Sequence, residues 1–188
     1  MIAEEAARVM VDEDVKEYIE AKRIAADNLF GMRASANIRL PSNGEIRAAI
    51  VARAALRDSG RERLSHMRRV ALEVMLQLEA FEPRLIGSVA TGAIHRNSDV
   101  DIQLFCVRHD TLEQVLHANG YEAERLEHEI WKDGMFRRYV HYHFEREGVD
   151  IELSVYEPAE LHVVRFSSID GKPIDRVPRR RLEALLRG

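Results

Sequence analysis

The chain has 188 residues, 46% of them hydrophobic and 32% charged, with a formal net charge of -4. That balance supports a buried core and excludes a broadly basic, nucleic-acid-coating surface. A lone cysteine, Cys106, excludes an intramolecular disulfide and a cysteine zinc site. No stretch has the apolar length of a membrane span. The acidic start, Met1-Ile2-Ala3-Glu4-Glu5, lacks the layout of a signal peptide, so a cytoplasmic protein is expected.

Residues 1–30 carry Val9, Val15, Tyr18, Ile19 and Ile24 at roughly helical spacing. They predict one or two helices, broken near Asp12-Glu13-Asp14. Gly31, Pro41 and Asn43-Gly44 punctuate a loop over 31–44. Ser42 and Glu45 have capping-box spacing, which predicts a helix from about Gly44 to Arg57. Ser59-Gly60 is expected to break it. A further helix carries Leu64, Met67, Val70, Ala71, Val74, Met75 and Leu78, and Pro83 follows.

Leu85-Ile86 then reads as a strand running into Gly87-Ser88, a tight turn and a short helix, with Gly92 after it. Asp99-Val100-Asp101-Ile102-Gln103-Leu104-Phe105 reads as the next strand. In a strand, residues i and i+2 share a face. Asp99 and Asp101 therefore stand together, while Val100, Ile102 and Leu104 face the core. Adjacent carboxylates repel unless a cation lies between them. A hard cation such as magnesium takes oxygen ligands of this kind. The free N–H groups after Gly87-Ser88 suit a phosphate.

Downstream, Asp110 can cap a helix through about Ala118, and Asn119-Gly120 can stop it. Residues 121–131 suggest an edge strand and Lys132-Asp133-Gly134 a turn. Phe136 to Glu145 and Val149 to Tyr156 alternate, so a β-meander follows. Pro158 closes it, Asp170-Gly171-Lys172-Pro173 forms a loop, and Pro178 starts a terminal helix to Leu186. Within the last hairpin, Val140, Tyr142, Phe144, Val149, Ile151, Leu153 and Val155 make one apolar face. Arg137, Tyr139, His141, His143, Asp150 and Glu152 share the other. A loop centred on Arg146-Glu147 would pair His143 with Asp150. A two-residue loop at Glu147-Gly148 shifts the pairing but keeps the faces. His141 and His143 also have the i, i+2 spacing of a metal pair, although hydrogen-bonded histidines beside the acids are the plainer reading. The arginines at 176, 179, 180, 181 and 187 read as a solvated face.

Gly87-Ser88, Gly92, Ser98-Asp99 and Asp101, in that order, resemble the nucleotidyltransferase superfamily, the group built like DNA polymerase beta. The resemblance covers roughly residues 70–156. It implies an α/β (α+β) fold, with a mixed sheet, helices on one face and the site on the open face. The division implied is an N-terminal helical layer over 1–80 and a core over 81–188, within one compact domain. It also implies a third acid on a later strand. Asp150, between Val149 and Ile151, matches best, and Glu152 is its competitor. Asp99, Asp101 and Asp150 would then hold two Mg2+ or Mn2+ ions. Gly87, Ser88 and Ser98 would bind a nucleoside triphosphate such as ATP. Thr91 stands where many small bacterial members carry Arg. The implied reaction moves a nucleoside monophosphate to an acceptor hydroxyl on an RNA end, a protein or a small molecule, and releases pyrophosphate. Little chain follows the third acid, so the N-terminal helices, a partner chain or a second copy would help hold the acceptor. The alternative is a catalytically silent nucleotide-binding or antitoxin-like partner protein.

Overall fold

The computed structural model describes residues 1–31, 38–56, 58–132, 135–167 and 171–187. The expected turn at Asp133-Gly134, and Asp170 of the later loop, lie outside them. The chain divides into two units. One comprises Met1–Leu64, Thr91–Ser98 and Phe166–Pro173; the other comprises Ser65–Ala90, Asp99–Arg165 and Ile174–Gly188.

The first unit is helical. Helices α1 (Ile2–Asp12), α2 (Tyr18–Phe30) and α3 (Asn43–Leu56) bury Ala6, Ala7, Val9, Met10, Ala21, Ala25, Ile46 and Ile50 together. So many alanines let the helix backbones come close. The break between α1 and α2 falls at 13–17, where Asp14 takes a positive φ of 58°. Ser42 and Glu45 form the expected capping box. Ser42 N–H donates to the Glu45 carboxylate at 2.7 Å, and Glu45 N–H donates to Ser42 Oγ at 3.2 Å. The break expected at Ser59-Gly60 does not fall there. Both residues lie in the first turn of α4 (Asp58–Gln77). Gly60 serves close packing there, because a Cβ would stand 2.8 Å from the Ala54 carbonyl oxygen.

The second unit holds a five-stranded mixed sheet among the described residues, in the order β1-β2-β5-β4-β3. The strands are β1 (Arg84–Ile86), β2 (Val100–Phe105), β3 (Glu124–Lys132), β4 (Met135–Arg146) and β5 (Val149–Tyr156). Only β2 and β5 run parallel; the other neighbours are antiparallel. The meander β3-β4-β5 leaves β3 at the edge, as expected. Its last turn is the two-residue loop Glu147-Gly148, pairing Arg146 with Val149. Both loop residues have positive φ, 52° and 72°, the primed geometry that matches strand twist.

Alternation sets the faces as the sequence implies. Val100, Ile102, Leu104, Tyr142, Ile151 and Leu153 are all buried on one face. Helices meet that face: the Tyr142 hydroxyl donates to Glu113 of α6 (His109–Ala118), and Arg146 donates to Glu73 of α4. Asp110 lies in the first turn of α6 rather than at its cap, where Arg108 holds it at 2.7 Å. The opposite face is open only at one end. On that face Gln103 and Phe105 are buried. Arg176 covers them: its Nε donates to Gln103 Oε1 at 2.7 Å, and its guanidinium lies 5.4 Å from the Phe105 ring centroid. Arg176 also donates to the carbonyls of Glu160, Leu161 and Val163. It is a latch and not part of a solvated arginine face. Burial pulls its guanidinium below the ordinary value, and the like charge of Arg165 adds to that. The terminal helix α7 (Arg179–Arg187) follows Pro178 as expected.

Candidate metal centre

Strand β1 ends at Ile86, which pairs with Asp101, and the chain turns at Gly87 into α5 (Gly87–Thr91). Gly87 takes a φ of +72°, a left-handed value that side chains rarely adopt. A Cβ on it would stand 2.1 Å from Asp101 Oδ2. The glycine is thus required twice, by its φ and by the carboxylate packed against its backbone. Ser88 follows in the first turn of α5, and Thr91 closes that helix.

Asp99 immediately precedes β2, and Asp101 lies within it; both are half-buried, and Val100 between them is buried. Across the parallel ladder, Asp101 pairs with Glu152. Carboxylate oxygens of Asp99, Asp101 and Glu152 all lie within 4.8 Å of one another. The third acid beside the pair is therefore Glu152, and the expectation for Asp150 is corrected. Asp150 pairs with Glu145 across β4, just outside the β2–β5 ladder, and is exposed. It shares the face of Glu152, as alternation requires, but stands one two-residue step away, about 6.6 Å along the strand. The reason is register: the parallel pairing of Val100 with Ile151 carries Glu152 to the level of Asp101.

Three carboxylates so close together repel. The pKa of Asp101 is pushed up to about 7 by burial first, then by the charges of Asp99 and Glu152. A divalent cation would remove the strain by taking one oxygen from each. The donor set is all carboxylate, the chemistry a hard cation prefers, and the glycine backbone leaves Asp101 no competing side chain on that side. The site residues therefore fit such an ion.

The histidines lie on the same face. His143 is directly opposite Glu152, and His141 is opposite Ser154. His141 Nδ1 lies 2.7 Å from Glu152 Oε1, while His143 Nε2 is 3.9 Å from Glu152 Oε2. The sequence brings both histidines to the acids by phase alone. Ser98 has a different part. It is buried, its Oγ accepts a hydrogen bond from His95 N–H at 2.9 Å, and its N–H donates to the His95 carbonyl. It closes the turn that leads to Asp99. Gln103 and Arg176 escaped sequence reasoning, because nothing local joins residues so far apart in the chain.

No protein-family model matches the chain, and no curated protein matches it. Among solved structures it is similar to the Cid1 poly(U) polymerase, in a MgGTP-bound crystal structure concerned with UTP selectivity. The TM-score is 0.36 at 18% identity, over 64% of this chain and 41% of that one. This chain thus spans less than half the length of that polymerase. A likeness of that size says nothing of activity, substrate or partner here.

Proposed function

We propose that this chain is a metal-dependent nucleotidyltransferase, moving a nucleoside monophosphate from a nucleoside triphosphate to an acceptor hydroxyl with release of pyrophosphate. The observation that carries the proposal is the cluster of Asp99, Asp101 and Glu152 beside the backbone of Gly87. Asp99, Asp101 and Glu152 would hold magnesium or manganese. Bound there, such ions lower the pKa of an acceptor hydroxyl and offset charge on the leaving pyrophosphate.

The chain's own part is positioning. Gly87 and Ser88, on the turn next to Asp101, would take the triphosphate through backbone N–H groups and the serine hydroxyl. The β2–β5 ladder sets Asp101 opposite Glu152, with Asp99 just before it, before substrate arrives, so little reorganisation is needed during transfer. Burial of Asp101 raises the strength of its interaction with any cation it meets. Asp150 is kept out of the ligand set.

Incubation with each alpha-labelled triphosphate, magnesium or manganese, and a panel of RNA, protein and small-molecule acceptors tests this reading. Label should pass to an acceptor and pyrophosphate should be released, and Asp99→Asn or Glu152→Gln should stop both. Triphosphate binding with no transfer across the panel would instead favour the silent nucleotide-binding protein.

A further inference from the structure

The open end of the sheet carries a second group of ligand atoms whose chemistry differs from the carboxylate cluster. His141 and His143 project from β4 on the face of Glu152, and one nitrogen of each lies within 4.8 Å of the other and of a Glu152 oxygen. We propose that His141, His143 and Glu152 form a separate binding site for a borderline transition-metal ion of the zinc or cobalt class. The proposal does not depend on nucleotidyl transfer; it shares only Glu152 with the site above.

Distances support it. Ligands around a tetrahedral zinc, bonded at about 2.0–2.2 Å, stand about 3.3–3.6 Å apart. The two observed His–Glu152 separations, 2.7 Å and 3.9 Å, bracket that range. The shorter is a hydrogen bond that a metal would replace with a small opening of the pair. The longer is too long for a hydrogen bond and would need to close by a few tenths of an ångström around one ion. A histidine recruited only to neutralise Glu152 would be served by His141 alone. The second imidazole lies nearly parallel to the first, with ring centroids 6.4 Å apart and planes at 28°, and directs Nε2 at the other carboxylate oxygen.

The surroundings fit the same role. Ser154 Oγ lies 3.3 Å from His141 Nδ1 and 3.2 Å from Glu152 Oε1, and so offers either a hydroxyl ligand or a partner for the carboxylate. The His128 ring stands edge-on to His141 at 5.7 Å, bounding the group on the β3 side. Both histidines are partly exposed, so an ion can enter from solvent. Two imidazoles select against magnesium, which prefers oxygen and keeps its waters, and favour zinc, cobalt, nickel or copper. The two sites should therefore sort cations by softness.

Cobalt(II) titration of the full chain without nucleotide, followed by visible absorption, tests this. Cobalt should bind one equivalent with the strong bands of low-coordinate, nitrogen-ligated metal, and millimolar magnesium should not displace it. His143→Ala and His141→Ala should each weaken it by at least about 100-fold, beyond the 10–100-fold typical of an outer-shell partner. Asp99→Asn should retain it. X-ray absorption of the wild-type zinc complex gives a readout independent of any variant, and should show two imidazoles. An all-oxygen, six-coordinate spectrum, displacement by magnesium, or unchanged affinity in folded histidine variants would overturn the proposal. Those outcomes leave magnesium-dependent transfer, tested by label, to stand or fall separately.

Discussion

Asp101→Asn should stabilise the metal-free protein while destroying its metal site, and the size of the effect should depend on pH. Asp101 has a folded-state pKa of about 7, against 3.8 for an unperturbed aspartate. Between those values the folded chain holds a proton that the unfolded chain has released, so raising the pH works against folding. The contribution is favourable below about pH 4, falls as pH rises toward 7, and is fully lost above it. About three pKa units at 1.36 kcal/mol each set a ceiling of about 4 kcal/mol on the cost. An asparagine carries no charge and escapes that cost. Its advantage should be about 1 kcal/mol at pH 4.5 and about 2–4 kcal/mol at pH 8. At about 2–4 °C per kcal/mol for a chain of this size, Tm should rise by about 4–16 °C at pH 8. Circular-dichroism melts in chelator at both pH values measure the difference. Added manganese should then stabilise the wild type at pH 8 and leave the variant unmoved. Equal destabilisation of the variant at both pH values would show that Asp101 is a packing residue, and would refute the electrostatic account.

Gly87→Ala meets both a positive φ and a carboxylate 2.1 Å from the new Cβ. It should cost about 1–3 kcal/mol from backbone strain alone, read by urea denaturation, and should weaken manganese binding in calorimetry. Glu152→Gln should abolish metal-dependent transfer, whereas Asp150→Asn should keep most of it; side-by-side turnover assays decide, and the reverse order would undo the register assignment. Arg176→Ala strips the donor from the buried Gln103 oxygen and should cost about 2–3 kcal/mol in urea melts, more than truncation of an exposed arginine such as Arg180.

Much of this fold can be read locally. The capping box at Ser42 and Glu45, the turn at Asn119-Gly120 and the alternation of β4 and β5 all follow from steric and hydrogen-bonding preferences within a few residues. Ser59-Gly60 misleads because a glycine needed for close approach to Ala54 looks the same in sequence as one that ends a helix. Arg176 misleads because it stands among terminal arginines that read as a solvated face, whereas its partner Gln103 lies far back along the chain.

The third acid divides the two kinds of information most clearly. Period-two geometry is a property of any strand, so the sequence by itself determined that Asp99, Asp101, Asp150, Glu152, His141 and His143 share one face. It also determined that Gly87 turns beside the acids. Which of Asp150 and Glu152 meets Asp101 was decided only by the tertiary structure. A shift of two residues keeps every side chain on its face and every apolar residue in the core, so burial hardly distinguishes the registers. The choice rests on the parallel pairing of β2 with β5, strands some fifty residues apart.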